Sequence, residues 1–186
     1  MISAADMLDQ SRRPCYLGCD VQTTGMGWAA VMVDTGAVAG LGWLPFAKAG
    51  QLEYEAVQAV GALASALVKA DVRPVQVAVE RVGGGRGVQS MLAVANAAGI
   101  MAGILAYRFD TAGMWRPTPA EWKRECGLSG MANKAAVRAK AEEVVANGRA
   151  YVTVQGFADM RQDVADAVCI AWADRQASVH AVECGH

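Results

Sequence analysis

The sequence predicts an α/β fold, a mixed five-stranded sheet flanked by helices. Three observations predict it. Three strand-like apolar runs follow one another before residue 46, separated only by short turns. Two later runs are each preceded by a segment with room for a helix, and the final third reads as helices. Strands that are first adjacent and then alternate with helices place antiparallel and parallel pairs in one sheet.

Cys15–Asp20 is a short apolar run that reads as a buried strand, and Trp28–Asp34 as its hairpin partner after a turn around Thr23–Gly27. Thr35-Gly36 turns the chain into a third strand, Ala37–Leu44, closed by Pro45. From Leu52 to Ala70, Val57, Val60, Leu63, Ala64, Leu67 and Val68 recur at helical spacing. Pro74 ends that connection, and the β-branched run Val75–Val79 leads into Glu80. A glycine cluster, Gly83-Gly84-Gly85-Arg86-Gly87, precedes an uncharged stretch over residues 87–107. Gly113–Arg116 reads as a short strand cut by Pro117. Thr118-Pro119-Ala120-Glu121 then carries three helix-start features: Thr at the N-cap, Pro at N1 and Glu at N3. Further helices are expected from Asn133 to Val145 and from Arg161 to Val179. No internal repeat, linker or low-complexity block interrupts residues 1–186, so a single domain is expected, with its core between residues 15 and 178.

At 186 residues the chain is long enough to bury a real core. Its 54% hydrophobic and 19% charged content suits a surface partly buried against a partner. The net charge of −1 is unevenly spread: residues 81–149 hold ten basic and five acidic side chains, the remainder seven and thirteen. A basic middle between acidic flanks suits a polyanion, although helices that simply carry solvated charge give the same count. Five cysteines, odd in number and without a C-x-x-C pair, indicate a reducing, cytoplasmic compartment. Cys15, Cys19 and Cys169 read as small core residues. The first residues lack the apolar segment of a secretory signal. The uncharged stretch is long enough to cross a bilayer. It is diluted by Gln89, Ser90 and Asn96 and bracketed evenly by Arg86 and Arg108, so it reads as a core helix. Gly99 and Gly103 could pack it on another subunit. The chain holds two histidines, His180 and His186, which excludes a His-based hydrolase; with Cys184 they read as a frayed end.

Four acidic residues carry the functional argument. Asp20 and Glu80 each end an apolar strand, and Asp163 and Asp166 share a helix face at i and i+3. If the two strands are parallel neighbours, both carboxylates emerge on one rim of the sheet, where α/β folds bind ligands. Four carboxylates at one place repel unless cations neutralise them, and oxygen-only ligands suit Mg²⁺ or Mn²⁺. Taken singly, each acid also has an ordinary structural reading, as a turn initiator or as a partner of a helix dipole. Asp159 precedes the helix and is a weaker candidate, and Asp174 reads as a surface residue.

Gly18-Cys19-Asp20 followed by Thr23-Thr24-Gly25-Met26-Gly27-Trp28-Ala29 resembles the opening strand and hairpin of RuvC-type Holliday junction resolvases. Val77-Ala78-Val79-Glu80 resembles their second acidic strand, and Asp163-Val164-Ala165-Asp166-Ala167 their final acidic helix. Trp115-Arg116-Pro117, Trp122-Lys123 and Asn133-Lys134 resemble the segments between. The match spans Leu17 to Ala173 in the right order. The resemblance implies an RNase H-like fold, a homodimer, and nicking at a four-way DNA junction that depends on two Mg²⁺ (or Mn²⁺) ions per site. It carries the role of metal ligand to Asp20, Glu80, Asp163 and Asp166, and a phosphate contact to Lys134. Arg81, Arg86, Arg116, Lys123, Arg124 and Arg138 are the other expected DNA contacts.

Two departures stand out. Val21-Gln22 follows the first acid where the family usually has a proline and a small residue. The loop Arg81-Val82-Gly83-Gly84-Gly85-Arg86 lacks the bulky side chain the family often places there, so a broader taste for branched DNA is expected. The compact form and divergent motifs suit a phage or mobile-element version. Two other readings stay open: an actin-like ATPase or sugar-kinase-type phosphotransferase fragment, and a non-catalytic DNA-binding scaffold.

Overall fold

The computed structural model describes residues 11–46, 52–81, 87–111, 113–147 and 161–183. Five strands form one sheet: β1 (Arg13–Gln22), β2 (Gly25–Met32), β3 (Val38–Pro45), β4 (Val72–Val79) and β5 (Met114–Trp115), in the spatial order β3-β2-β1-β4-β5. β1 is central, antiparallel to β2 and parallel to β4. It is buried on both faces, as its near-continuous apolar composition requires. Five helices complete the described residues: α1 (Leu52–Lys69), α2 (Val88–Phe109), α3 (Pro119–Glu125), α4 (Lys134–Asn147) and α5 (Gln162–Glu183).

Alternation along the strands sorts the core into two layers. Leu17, Cys19, Met26 and Met32 cluster with Val60, Leu63 and Leu67 of α1 and Met101 and Leu105 of α2. On the other face, Ala29, Val31 and Ala78 cluster with Trp122 of α3, Val137 and Ala141 of α4, and Val164, Val168 and Ile170 of α5. The expected mixed five-stranded sheet flanked by helices is therefore what the chain forms.

Several boundaries differ from expectation for physical reasons. The β1–β2 turn is confined to Thr23-Thr24, and Gly25 and Gly27 belong to β2. Pro74 lies inside β4, where the register with β1 slips between Cys15 and Tyr16. Such an irregularity is where a strand tolerates a residue without an N–H. Val57 sits on the solvent side of α1, 53% exposed. The start of α3 follows expectation: Thr118 Oγ1 accepts from Glu121 N at 3.3 Å, and Glu121 Oε2 accepts from Thr118 N at 2.6 Å.

α2 is the described helix long and apolar enough to cross a bilayer. Its inner stripe, Ala98, Met101, Ala102 and Leu105, packs into the core. Gly99 and Gly103 lie on its outer side, facing open space.

α5 lies directly on the centre of the sheet, and two glycines allow it. A Cβ on Gly18 would fall onto the backbone of Ala167 and Ala171, and one on Gly27 onto the backbone of Asp163. Gly27→Ala should therefore force α5 off the sheet. The expected cost is about 1–3 kcal/mol of stability, as for other overpacked positions. Chemical denaturation would measure it, and an unchanged midpoint would show that α5 does not rest there.

Candidate active site

Gly27 pairs with Asp20 across β1 and β2, so the α5 backbone at Asp163 passes immediately beside Asp20. On the other side, Glu80 N donates to Cys19 O at 3.2 Å, which sets Glu80 next to Asp20 at the end of β4. Asp166 follows Asp163 one helical turn on. The four acids singled out from sequence thus meet near the C-terminal ends of the central strands β1 and β4. Asp20 does not end its strand, which runs on to Gln22.

Asp20 is 2% exposed. Burial pushes its carboxyl well above the ordinary range, and the charges of Glu80, Asp166 and Asp163 push it further. The interaction of its side chain with Glu80 raises it as well. Asp166 is pushed up to about 6, chiefly by burial, against the lowering effect of a hydrogen bond from Gln162; Glu80 and Asp163 raise it and Lys123 lowers it. These carboxylates feel one another strongly and are under-compensated by cations.

Three side chains absent from the sequence reading as site residues hold these acids in place. Gln22 Nε2 donates to Asp20 Oδ1 at 3.0 Å, Gln162 Nε2 to Asp166 Oδ1 at 2.8 Å, and Trp122 Nε1 to Glu80 Oε1 at 3.0 Å. Gln162 was findable, since it sits four residues before Asp166 at a helix start. Trp122 needed the tertiary structure. The α3 capping box orients that helix, and the fully buried indole then reaches Glu80 across the layer.

A cleft lined by Glu80, Trp122, Lys123, Asn133, Lys134, Gln162 and Asp166 opens beside the carboxylates. Lys134 is exposed there, and Arg138 is exposed one turn further along α4. Lys123 is partly buried, donating to Ala132 O at 2.9 Å, so its ammonium steadies the α3–α4 connection as well as facing Asp166. Arg124 is exposed on α3. Arg81 is bound to Glu121 at 3.0 Å. This contact and the capping hydrogen bonds from Thr118 hold the Glu121 carboxyl down to about 2, the capping bonds contributing most. Arg116 has a buried Nε without a partner, and burial and the nearby Arg81 both lower its pKa. Arg86, the glycines 83–85, Asp159, Cys184 and His186 lie outside the described residues. Asp174 corrects an expectation. It is 1% exposed, not on the surface, because its place on α5 turns it into the core against Gln76 of β4, whose Nε2 donates to Asp174 Oδ1 at 2.7 Å.

Among the described residues no three acidic, histidine or cysteine side chains stand close enough to form a ready-made ion cage. The donor set nonetheless fits hard divalent cations: it is all oxygen, largely buried, and self-repelling in a way that bound positive charge relieves.

No protein-family model and no curated protein matches the sequence. Solved structures do. RuvC of Thermus thermophilus superposes with a TM-score of 0.67 at 17% identity, covering 89% of this chain and 96% of that one. The T. thermophilus RuvC in complex with a Holliday junction substrate gives 0.66 at 16%, with the same coverage. The yeast mitochondrial Holliday junction resolvase Ydc2 gives 0.54 at 12%, covering 97% of this chain and 89% of that one. The chain has the RuvC-type, RNase H-like fold.

Proposed function

We propose that this protein is a metal-dependent, structure-selective endodeoxyribonuclease that nicks four-way junctions or related branched DNA. One observation carries the reading: the buried Asp20 carboxyl is surrounded by Glu80, Asp166 and Asp163, and the charges that act on it are all acidic. Proteins do not keep such a cluster for stability, because each added like charge costs free energy. The cleft beside it, which Lys123 and Lys134 line together with Glu80 and Asp166, and the fold shared with junction resolvases add support.

Asp20, Glu80, Asp163 and Asp166 would hold two Mg²⁺ or Mn²⁺ ions. When bound, these ions supply charge that activates water and stabilises the leaving 3′ oxygen. The protein's own residues do the positioning. Trp122, Gln22 and Gln162 fix three of the carboxylates by hydrogen bonds, so the site is aligned before DNA arrives. Lys134, Lys123, Arg116 and Arg138 meet phosphates on the β4 side of the centre, which makes binding salt-dependent. The test is purified protein with end-labelled four-way, flap and linear DNA, in Mg²⁺ or EDTA. Nicking confined to branched DNA with Mg²⁺ supports the reading. Binding without cleavage favours a scaffold, and ATP turnover without nicking a phosphotransferase.

The working unit we propose is a homodimer in a reducing compartment. Free, buried Cys15, Cys19, Cys126 and Cys169 suit that compartment. The outer side of α2 supplies the dimer surface. Its exposed positions include Val88 (69%), Leu92 (63%) and Tyr107 (91%) and hold no charged residue. A solvent-facing helix side normally carries charge. Sedimentation should find a dimer for the wild type and a monomer for Leu92→Asp; a monomeric wild type at all working concentrations overturns the dimer.

A further inference from the structure

Lys123 and Lys134 line the cleft with Glu80, on the β4 side of the carboxylates. The opposite side holds a different arrangement. Trp43 of β3 pairs with Gly27, which in turn pairs with Asp20, so Trp43 stands two strands from Asp20 in the same row across the sheet. Its ring lies against the backbone of Gly25, where a Cβ would collide with it. Over this half-buried ring sits the guanidinium of Arg161, 3.9 Å from the ring centroid. The same guanidinium is 3.6 Å from Asp163 Oδ2, and the Arg161 side chain is 54% exposed.

We propose that Arg161, shelved on Trp43, is a DNA-phosphate contact on the β2–β3 side of the centre, so that the strand being cut is gripped on both flanks of the carboxylates. The proposal rests on the DNA-binding part of the nuclease reading. A guanidinium has five N–H donors in one plane. Stacking occupies its face, and the 3.6 Å contact to Asp163 is too long for a tight charge-assisted hydrogen bond. Donor edges therefore remain for a phosphate, beside the acids and half in solvent. A purely structural role explains less, since an exposed ion pair of this kind adds little stability. The Trp43 shelf holds the long side chain in one orientation before DNA arrives, which lowers the ordering cost of binding. Arg161 would be the contacting residue and Trp43 a positioning residue.

The test is a titration of fluorescent four-way junction DNA over a range of KCl, with Ca²⁺ replacing Mg²⁺, for the wild type and four variants. Arg161→Ala should raise Kd about tenfold and reduce the slope of log K against log salt by about one. Arg161→Lys should keep the slope. Trp43→Phe should match the wild type, whereas Trp43→Leu should keep the slope and raise Kd about threefold, by losing the stacking contact. Thermal melts of each variant separate these effects from misfolding. An unchanged slope in Arg161→Ala, with wild-type binding intact, overturns the phosphate contact and leaves the nuclease reading standing. Equal Kd for Trp43→Leu and wild type overturns the shelf. Wild-type binding without nicking in Mg²⁺ sinks the nuclease reading alone, because the Arg161 slope is still read from binding. No wild-type binding to any DNA overturns both.

Discussion

Asp20→Asn is expected to abolish metal-dependent nicking while leaving the fold as stable as before, or more so. Asn keeps the shape of the side chain and an oxygen to accept the hydrogen bond from Gln22. It removes the charge at the most buried point of the cluster, where Glu80, Asp166 and Asp163 all act. Without divalent ions, losing one of four repelling carboxylates should hold or raise the melting temperature. With them, the variant lacks the central ligand, and several kcal/mol of transition-state stabilisation should go with it. That corresponds to a fall of roughly a thousandfold or more in the single-turnover rate. Mg²⁺ should raise the melting temperature of the wild type by mass action and leave the variant nearly unmoved. Wild-type nicking rates in Asp20→Asn, or a wild-type melt indifferent to Mg²⁺, would remove Asp20 from the centre of the site.

The sheet was legible because its strands announce themselves by composition. Cys15–Asp20 and Val75–Val79 are apolar enough for a doubly covered sheet, and the element order allowed few topologies. The glycines were harder. Gly25 and Gly27 look like turn residues in a Thr-Thr-Gly-Met-Gly stretch, yet both are in β2. They are glycine because the Trp43 ring and the backbone of α5 come too close for any Cβ. For Gly27 the approach comes from a segment more than a hundred residues away and leaves no local trace. Pro74 misled for a related reason. Its place in β4 depends on a register slip in the pairing with β1, which the sequence does not display.

At the candidate site, sequence reading found the four acids and missed what surrounds them. Acids that close apolar runs and acids at helical spacing are recognisable in the sequence. The indole of Trp122 reaching Glu80 is not, since it depends on how α3 packs over the sheet. In the sequence Arg161 shows only as a helix start, because the ring it rests on is on β3, more than a hundred residues away. Arg81 shows in the sequence only as a positive charge, because its partner Glu121 lies forty residues on and has a local role as a cap.

Asp174→Asn is expected to stabilise the protein above pH 7 and to change little near pH 5. The Asp174 carboxyl is pushed up to about 7, and burial is the cause. One oxygen accepts from Gln76, while Oδ2 is buried without a partner. Since the folded pKa is the raised one, the folded state binds the extra proton between the two pKa values. This group's favourable contribution is complete below about pH 4 and is lost as pH rises through about 7. Its full loss is on the order of 4 kcal/mol as an upper bound, reduced by relaxation and water entry. Asn carries no charge at any pH but leaves a buried amide N–H₂ in place of the orphaned oxygen, which offsets part of the gain. A net gain of about 1–3 kcal/mol at pH 8 follows, or roughly 2–12 °C in melting temperature for a chain of this size. Asp174 lies eight residues beyond Asp166 along α5, about 12 Å by helical rise, and makes its bond to Gln76, away from the carboxylates. Nicking by Asp174→Asn should therefore match the wild type at pH 8. Parallel pH–stability curves for the two proteins would show that Asp174 is not the buried acid that sets this slope, and would move attention to Asp20 and Asp166.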